Sequence, residues 1–249
     1  MILDELMEQV FQGKAAEVEN LLYTGAYILA GAPKIGKFFL VAQIAYHISS
    51  GRPLWGYQVR QGTVLYLALE DDEGRLQRRM YRMFGVEGAN SLYFATNAKL
   101  IGSGLDGQLE NFVQEHRDTR LIVIDTLQKV RETVNDSYSY SSDYDVIGKL
   151  KQFADKHGVC VLIVHHTRKQ PAGDSFEMIS GTTGLLGCAD GALLMQKEKR
   201  TDGKATLDIV GRDQPDQRLY LAKDQEHLVW ELERAENELW KQPPDPVLE

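Results

Sequence analysis

Apolar runs of strand length alternate with amphipathic segments of helical length through most of the chain. This alternation is typical of a mainly parallel sheet whose strands are joined by crossover helices. The runs are almost continuously apolar, as expected for strands that are covered on both faces. The predicted strands are Ala26–Gly31, Thr63–Leu69, Leu92–Ala95, Leu121–Asp125, Val159–His165 and Gly191–Met195. The predicted helices, with apolar residues at i, i+3 and i+4, are Lys37–Ser50, Glu73–Phe84, Gly107–Glu115 and Tyr144–His157.

The pattern changes after residue 200, where short alternating segments are separated by polar turns. Ala205–Val210, Leu219–Leu221 and Leu228–Leu232 predict an antiparallel extension of the same sheet. Residues 233–249 are charged and end in a proline-rich stretch, which indicates a C-terminal helix followed by a tail. We therefore expect an N-terminal helical segment over residues 1–24, an α/β domain over residues 25–232, and a helix and tail over residues 233–249.

The segment between the first predicted strand and the first predicted helix has the pattern G-x-x-x-x-G-K. Glycines in such a loop let backbone N–H groups turn toward an anion, and the following helix N-terminus adds a favourable dipole. The lysine ammonium then reaches the β- and γ-phosphates of a nucleotide. The predicted nucleotide-binding residues are Gly31, Ala32, Pro33, Lys34, Ile35, Gly36, Lys37 and Phe38.

Phe38 departs from the usual pattern of this loop, which has Ser or Thr after the lysine to coordinate Mg²⁺. A phenyl ring cannot ligate a metal ion, whereas the loop amides and Lys37 still can bind phosphate. Two interpretations stay open at this point. Neighbouring carboxylates and water compensate for the missing hydroxyl, or the site hydrolyses nucleotide weakly or not at all.

Two strands end in carboxylates that could complete such a site. The apolar strand Leu121–Asp125 delivers Asp125 to the carboxyl edge of the sheet, where it would hold Mg²⁺ directly or through water. The preceding strand Thr63–Leu69 is followed by Glu70, which is the candidate base that orients and deprotonates an attacking water. The three acids after Glu70 are better suited to the first turn of a helix.

Several polar residues follow the later strands. His165 and His166 lie at a strand end, where one of them could sense the γ-phosphate. Arg168 and Lys169 begin a long connection of the kind that is usually functional. Arg212 follows a late strand, where its guanidinium could reach the nucleotide of a neighbouring subunit or could simply be solvated.

The composition is that of a globular protein, with 43% hydrophobic and 26% charged residues. A formal net charge of −8 means that any contact with nucleic acid must use a local basic patch. A chain with only two cysteines has neither a disulfide scaffold nor a cysteine zinc cluster. Because the sequence has no long apolar run, we expect a cytoplasmic protein with no membrane segment. Four arginines at helical spacing form a basic stripe that is either a solvated helix face or a contact to phosphate or DNA: Arg75, Arg78, Arg79 and Arg82.

Together these motifs resemble the core of RecA-like P-loop ATPases, and among them the plasmid RepA-type replicative helicases and related phage and plasmid AAA ATPases. The resemblance covers roughly residues 25–232. It is specific as a set, although each motif alone is not. The segments that carry it are the loop 31–37, Leu67–Asp71, Val123–Leu127, Val164–Lys169, Ile179–Gly184 and Gly211–Asp213.

The resemblance implies a RecA-like fold and a ring-like homo-oligomer, such as a hexamer, that binds ATP and Mg²⁺ between subunits. It implies that Lys37 contacts the phosphates, Glu70 is the base and Asp125 holds Mg²⁺. A strand-tip histidine, with His166 as the candidate, would sense the γ-phosphate, and Arg212 would act in trans. The loop that begins with Arg168 and Lys169 would contact DNA, most simply as a single strand.

Three functions follow as hypotheses. The first is a DNA-associated, helicase-like ATPase motor acting in DNA replication or repair. The second is a nucleotide-gated DNA-binding or assembly module with little or no turnover, which Phe38 motivates. A small-molecule P-loop kinase is less attractive, because the residues after 200 lack an arginine-rich lid.

Overall fold

The computed structural model describes residues 2–9, 13–131, 140–167, 176, 183–199 and 201–237. The helices are α1 (Leu3–Met7), α2 (Lys37–Ser50), α3 (Glu73–Phe84), α4 (Leu105–Glu115), α5 (Leu127–Val130), α6 (Tyr140–His157) and α7 (Thr183–Cys188). The strands are β1 (Ala16–Val18), β2 (Leu22–Tyr23), β3 (Gly25–Gly31), β4 (Thr63–Ala68), β5 (Leu92–Ala95), β6 (Thr119–Asp125), β7 (Cys160–His166), β8 (Gly191–Gln196), β9 (Lys204–Gly211), β10 (Gln214–Lys223) and β11 (Trp230–Asn237). No helix in the described ranges is long and apolar enough to cross a membrane.

The main sheet has nine strands in the order β11-β10-β9-β8-β3-β7-β6-β4-β5. The strands from β8 to β5 in this order are parallel to one another. Strands β9, β10 and β11 are joined to β8 as an antiparallel extension. The predicted α/β class, a mainly parallel sheet flanked by helices and extended by antiparallel strands, is therefore confirmed.

Helices cover both faces of the parallel strands. Alternate residues of β7 belong to two separate apolar clusters, with Leu162 in one and Ile163 in the other. The first cluster includes α2 and α3, and the second includes α4, α5 and α6. This double coverage is the physical reason that the strands are almost continuously apolar.

The chain differs from the sequence prediction at both ends. Within the predicted N-terminal helical segment, the described residues are helical only over Leu3–Met7, and β1 and β2 form an antiparallel hairpin. Asn20 adopts φ 57° between these strands, a left-handed conformation that asparagine tolerates in turns. The predicted helix at residue 233 is wrong over 233–237, because β11 extends to Asn237 and pairs with β10. The rest of that segment lies outside the described residues.

The carboxyl ends of the central parallel strands meet at one edge of the sheet. Gly31 at the end of β3 is in register with His166 at the end of β7. Ala68 at the end of β4 is in register with Asp125 at the end of β6. In open α/β sheets, ligands bind at this edge.

Candidate nucleotide-binding site

The predicted phosphate loop connects β3 to α2 and is shaped by two residues with positive φ. Lys34 has φ 64° and Gly36 has φ 108°, and α2 begins at Lys37. A Cβ atom at Gly36 would lie 2.8 Å from the Trp230 ring, so glycine is required there for space as well as for conformation. The backbone therefore adopts the tight turn into a helix N-terminus that phosphate binding needs.

The Lys37 side chain lies at the centre of the site, and the residue is only 6% exposed. Its Nζ donates to the carbonyl oxygens of Gly31, at 2.7 Å, and Ala32, at 3.0 Å, and lies 3.1 Å from Nδ1 of His166. Burial lowers the pKa of Lys37 to about 8, against the opposing effect of two nearby carboxylates. An anion at this point would stabilise the ammonium.

Asp125 lies at the end of β6, close enough to Lys37 to influence its pKa. Its Oδ2 accepts a hydrogen bond from the buried Tyr66 hydroxyl at 2.9 Å. Burial raises the pKa of Asp125 to about 6, while the Tyr66 hydrogen bond and Lys37 act in the opposite direction. Sequence patterns did not single out Tyr66, because it occupies one position within a buried, mostly apolar strand.

Glu70 follows β4 closely, and its side chain is 47% exposed. Oε1 accepts a hydrogen bond from Thr126 Oγ1 at 3.0 Å and lies 4.0 Å from Nε2 of His166. A solvent-accessible carboxylate oriented by a hydroxyl is suited to hold a water molecule as a general base. Thr126 is a second site residue that the sequence patterns did not indicate.

The structure brings His166, and not His165, to the phosphate loop. His166 contacts Lys37 and lines the same cleft, whereas His165 is buried and does not line it. Burial lowers the pKa of His165 to about 4, and burial also lowers the pKa of His166. The His165 ring is therefore neutral at pH 7.

Phe38 lies where a metal-binding hydroxyl stands in the usual loop. Its ring packs 5.6 Å from that of Phe39 and 5.9 Å from that of Tyr66, centroid to centroid. Asp125 is a carboxylate of this cleft that could hold Mg²⁺, an ion commonly held by one or two carboxylates together with substrate phosphates. In the part of the chain that the structure describes, no group of three or more His, Cys, Asp or Glu side chains could hold a metal ion.

A cleft of about 610 Å³ that is open to solvent is lined by Lys37, Phe38, Glu70, Asp125 and His166. The cleft also has a charged wall, of which the sequence patterns indicated only the two arginines, as one of two alternatives. Arg75 and Arg79 of α3 belong to it, and so do Lys197 and Lys223 from the antiparallel extension. The helical spacing of the arginines was the one signal that could have indicated this wall.

The structure does not bring Arg212 to the cleft. Its side chain is exposed, and its Nη2 donates to the carbonyl oxygen of Gly187 at 2.8 Å, outside the cleft lining. Within the described part of a single chain, Arg212 therefore has no contact with the predicted nucleotide site. Arg168 and Lys169, the predicted DNA contacts, lie outside the described residues.

Solved structures share this fold, and two of them are compared with the chain. One of them, an ATPase domain, aligns with a TM-score of 0.67 at 14% identity, over 84% of each chain. A DnaB-like replicative helicase, solved in a study of its interactions with primase, aligns with a TM-score of 0.67 at 15% identity, over 84% of this chain and 57% of the other. These likenesses show the RecA-like fold.

Curated relatives include the DNA repair protein RadA. The match to RadA of Streptococcus pyogenes serotype M6 is 23% identical over 145 residues, which is 57% of this chain and 28% of RadA. The match to RadA of Streptococcus pneumoniae is 24% identical over 145 residues and covers 30% of that protein. The chain thus spans under a third of the relatives that it matches. A family model described as an AAA domain matches residues 15–172, and the chain therefore belongs to the AAA domain family of P-loop NTPases.

Proposed function

We propose that this protein binds and hydrolyses ATP and uses the cycle to act on DNA in replication or repair, as a RepA-type, helicase-like motor. The observation that carries the proposal is the convergence of one ammonium and two carboxylates at the phosphate loop. Lys37, Asp125 and Glu70 lie within one open cleft at the carboxyl edge of the sheet. A phosphate ligand, a metal ligand and a water-activating base are the groups that phosphoryl transfer to water requires.

The side chains have distinct parts in this reaction. The Lys37 ammonium, which donates to the loop carbonyls, turns to the β- and γ-phosphate oxygens when nucleotide enters. Glu70 accepts a proton from the attacking water, with its carboxylate held by Thr126. His166 lies between Lys37 and Glu70, so that it can respond to the presence of the γ-phosphate.

Mg²⁺ would be held on the protein side by Asp125. The ion supplies charge neutralisation of the phosphate oxygens during transfer. The hydrogen bond that the Tyr66 hydroxyl donates to Asp125 Oδ2 holds the Asp125 carboxylate in position. Because Phe38 offers no second ligand, we expect hydrolysis to be slow relative to that of sites that contain the hydroxyl.

DNA and a second copy of the chain are the proposed partners. The names of the relatives and neighbours, a DNA repair protein and a replicative helicase, support DNA as the substrate. We propose a homo-oligomer such as a hexamer, in which Arg212 of one subunit reaches the nucleotide of the next. Arg168 and Lys169 are the proposed contacts to a single DNA strand.

Phosphate release measured with and without single-stranded DNA tests this function. We expect hydrolysis that DNA stimulates, loss of hydrolysis in Lys37→Ala and Glu70→Gln, and loss of only the stimulation in Arg168→Ala/Lys169→Ala. Lys156→Ala, at an exposed position on α6, is the matched control for removal of one positive charge. Equal rates with and without DNA in the parent protein would contradict the motor.

The second candidate is a nucleotide-gated DNA-binding or assembly module with little turnover. Phe38, packed among aromatic rings where a hydroxyl is usual, is the observation that favours it. Phe38→Thr distinguishes the two candidates. A gain in Mg²⁺-dependent hydrolysis would mean that only the ligand is missing, whereas no gain in a folded variant, together with negligible turnover of the parent, would favour the module.

A further inference from the structure

Two cations cover the two aromatic rings that follow the loop lysine. The Arg79 guanidinium carbon lies 4.5 Å from the centre of the Phe38 ring. The Lys223 ammonium lies 3.8 Å from the centre of the Phe39 ring. The cations come from separate elements, α3 and β10, and both line the nucleotide cleft. Two positive charges are thus located at the start of α2, beside the position that a metal-binding hydroxyl usually occupies.

Arg79 is held in place by a carboxylate that it shares. Its Nη1 lies 2.6 Å from Asp71 Oδ2, and Arg75 Nη1 lies 3.0 Å from Asp71 Oδ1. The Asp71 carboxylate therefore forms ion pairs with two guanidinium groups, and the three side chains together keep one net positive charge. Because guanidinium has five N–H donors, Arg79 retains donors for another acceptor.

Lys223 has a different environment, because the charged groups around it are cationic. Among the described residues its Nζ has no hydrogen bond or ion pair and contacts the aromatic rings of Phe39 and Trp230. Burial has the largest effect on the pKa of Lys223 and, together with the nearby charges of Lys197, Arg82 and Arg79, lowers it to about 8. A half-buried ammonium with cationic neighbours is a site that an anion would stabilise.

The charge of the cleft agrees with this interpretation. Six Lys and Arg side chains line the cleft against four Asp and Glu side chains, in a chain whose net charge is −8. The cleft therefore concentrates positive charge against the sign of the whole molecule. A nucleotide triphosphate is the polyanion that the phosphate loop in the same cleft is built to take.

We propose that Lys223 and Arg79 form a second phosphate-binding subsite that replaces part of the charge neutralisation by Mg²⁺, so that this cleft binds nucleotide without a divalent metal. The inference rests on the proposed function, because it concerns the same nucleotide. The rings of Phe38 and Phe39 make cation–π contacts with Arg79 and Lys223 and exclude water from one side of each cation. In this arrangement Mg²⁺, which Asp125 would hold, is needed more for ATP hydrolysis than for nucleotide binding.

Calorimetric titration of the full chain with ATP, in excess Mg²⁺ and again in EDTA, tests the subsite. We expect the parent to lose less than about tenfold in affinity when the metal is removed. Lys223→Met keeps the apolar stem over the rings and removes the charge, so its affinity in EDTA should fall by about tenfold relative to the parent, and less in Mg²⁺. Arg79→Gln should show the same dependence on metal.

Lys204→Met is the matched control, because Lys204 lies on the neighbouring strand β9 and pairs with Glu233 outside the cleft. Its affinity should equal that of the parent in both buffers. Loss of all ATP binding by the parent in EDTA, or equal affinities of Lys223→Met and the parent in EDTA, would overturn the subsite while leaving the proposed function intact. Absence of binding in both buffers would instead overturn the proposed function. The parent titration needs no variant and is decisive even if a variant fails to fold.

Discussion

The ionisation of Asp125 is set by burial on one side and by the Tyr66 hydroxyl and Lys37 on the other. Burial has the larger effect, so that its pKa is raised to about 6. The carboxylate must be ionised to accept a metal ion or to interact with the Lys37 ammonium. Hydrolysis by this site should therefore decline as the pH falls through about 6.

Tyr66→Phe removes the hydrogen bond that stabilises the charged form of Asp125. The pKa of Asp125 should rise, and the acid limb of the hydrolysis rate should move to higher pH by about one unit. The pH profile of phosphate release measures this shift. Tyr27→Phe removes a hydroxyl from an equally buried tyrosine that does not line the cleft, and it should leave the limb unchanged. If the acid limb of the hydrolysis rate lies at the same pH in Tyr66→Phe as in the parent, a group other than Asp125 causes the decline in rate at low pH.

Glu17 is a buried carboxyl outside the lining of the nucleotide cleft, and it affects stability rather than chemistry. It is fully buried on β1, and burial raises its pKa to about 7 although Arg60 and Arg120 oppose the shift. Its Oε2 has no hydrogen-bond partner among the described atoms. Because the pKa in the folded state is raised, its stabilising contribution is complete below about pH 4.5 and is lost as the pH rises through about 7.

Glu17→Gln should therefore stabilise the protein at about pH 8 by on the order of 1 to 3 kcal/mol and leave its stability at about pH 4.5 almost unchanged. Urea unfolding at the two pH values measures the difference in the free energy of unfolding. Glu19→Gln, at an exposed position on the adjacent turn, is the control for the same change of side chain. Equal effects of Glu17→Gln at both pH values would contradict the assignment.

At the scale of elements, the antiparallel extension is attached to the phosphate-loop helix through Trp230 at the start of β11. Gln43 of α2 donates to the Trp230 carbonyl oxygen at 2.9 Å and accepts from its N–H at 2.8 Å. Trp55 Nε1 donates to the same carbonyl oxygen at 2.6 Å, and the Trp230 indole donates to the Gly36 carbonyl oxygen at 3.3 Å. The extension therefore supports the loop from outside.

Gln43→Leu should destabilise the protein by about 1 to 3 kcal/mol, because the buried N–H of Trp230 loses its partner while its carbonyl keeps Trp55. Denaturant unfolding measures the loss, and nucleotide affinity should fall with it because the support of Gly36 loosens. Gln77→Leu, at an exposed position on α3, is the control and should lie within about 0.5 kcal/mol of the parent. Parent-like stability of Gln43→Leu would show that the extension is attached in another way.

The strands and helices of the parallel core could be predicted because the burial of each one leaves a pattern in its own stretch of sequence. Strands buried on both faces and helices with one apolar side leave periodic patterns, and the structure confirms α2 and α3 with the predicted bounds. β11 was missed beyond residue 232 because an edge strand carries charge on its exposed positions, such as Glu233 and Arg234. The two lysines of the charged wall were missed, because Lys197 and Lys223 approach the cleft only through sheet pairing, which no local pattern encodes.

At the scale of the whole molecule, the cleft is open, and among the described residues its lining includes no arginine from the late strands. Arg212 is exposed and bonded to the Gly187 carbonyl oxygen instead. If Arg212 takes part in hydrolysis, there are two ways. It leaves the Gly187 carbonyl oxygen and enters the cleft of its own chain, or it acts on the nucleotide bound to another copy of the chain. An arginine supplied in trans typically raises the rate by about 10³-fold or more.

Mixing two inactive variants separates these possibilities. Lys37→Ala lacks the phosphate ligand and Arg212→Ala lacks the guanidinium, so each alone should lose about 10³-fold or more in ATP hydrolysis. In an equal mixture, Lys37→Ala subunits supply Arg212 to the intact loops of their neighbours, and hydrolysis should recover toward about a quarter of the parent rate for random head-to-tail assembly. Mixing Lys37→Ala with the variant that carries both changes should restore nothing, because that mixture contains no intact loop lysine. A parent-like rate of Arg212→Ala alone would remove Arg212 from the site. If Arg212→Ala is inactive and a mixture shown to co-assemble does not recover, Arg212 acts in the cleft of its own chain and not in trans.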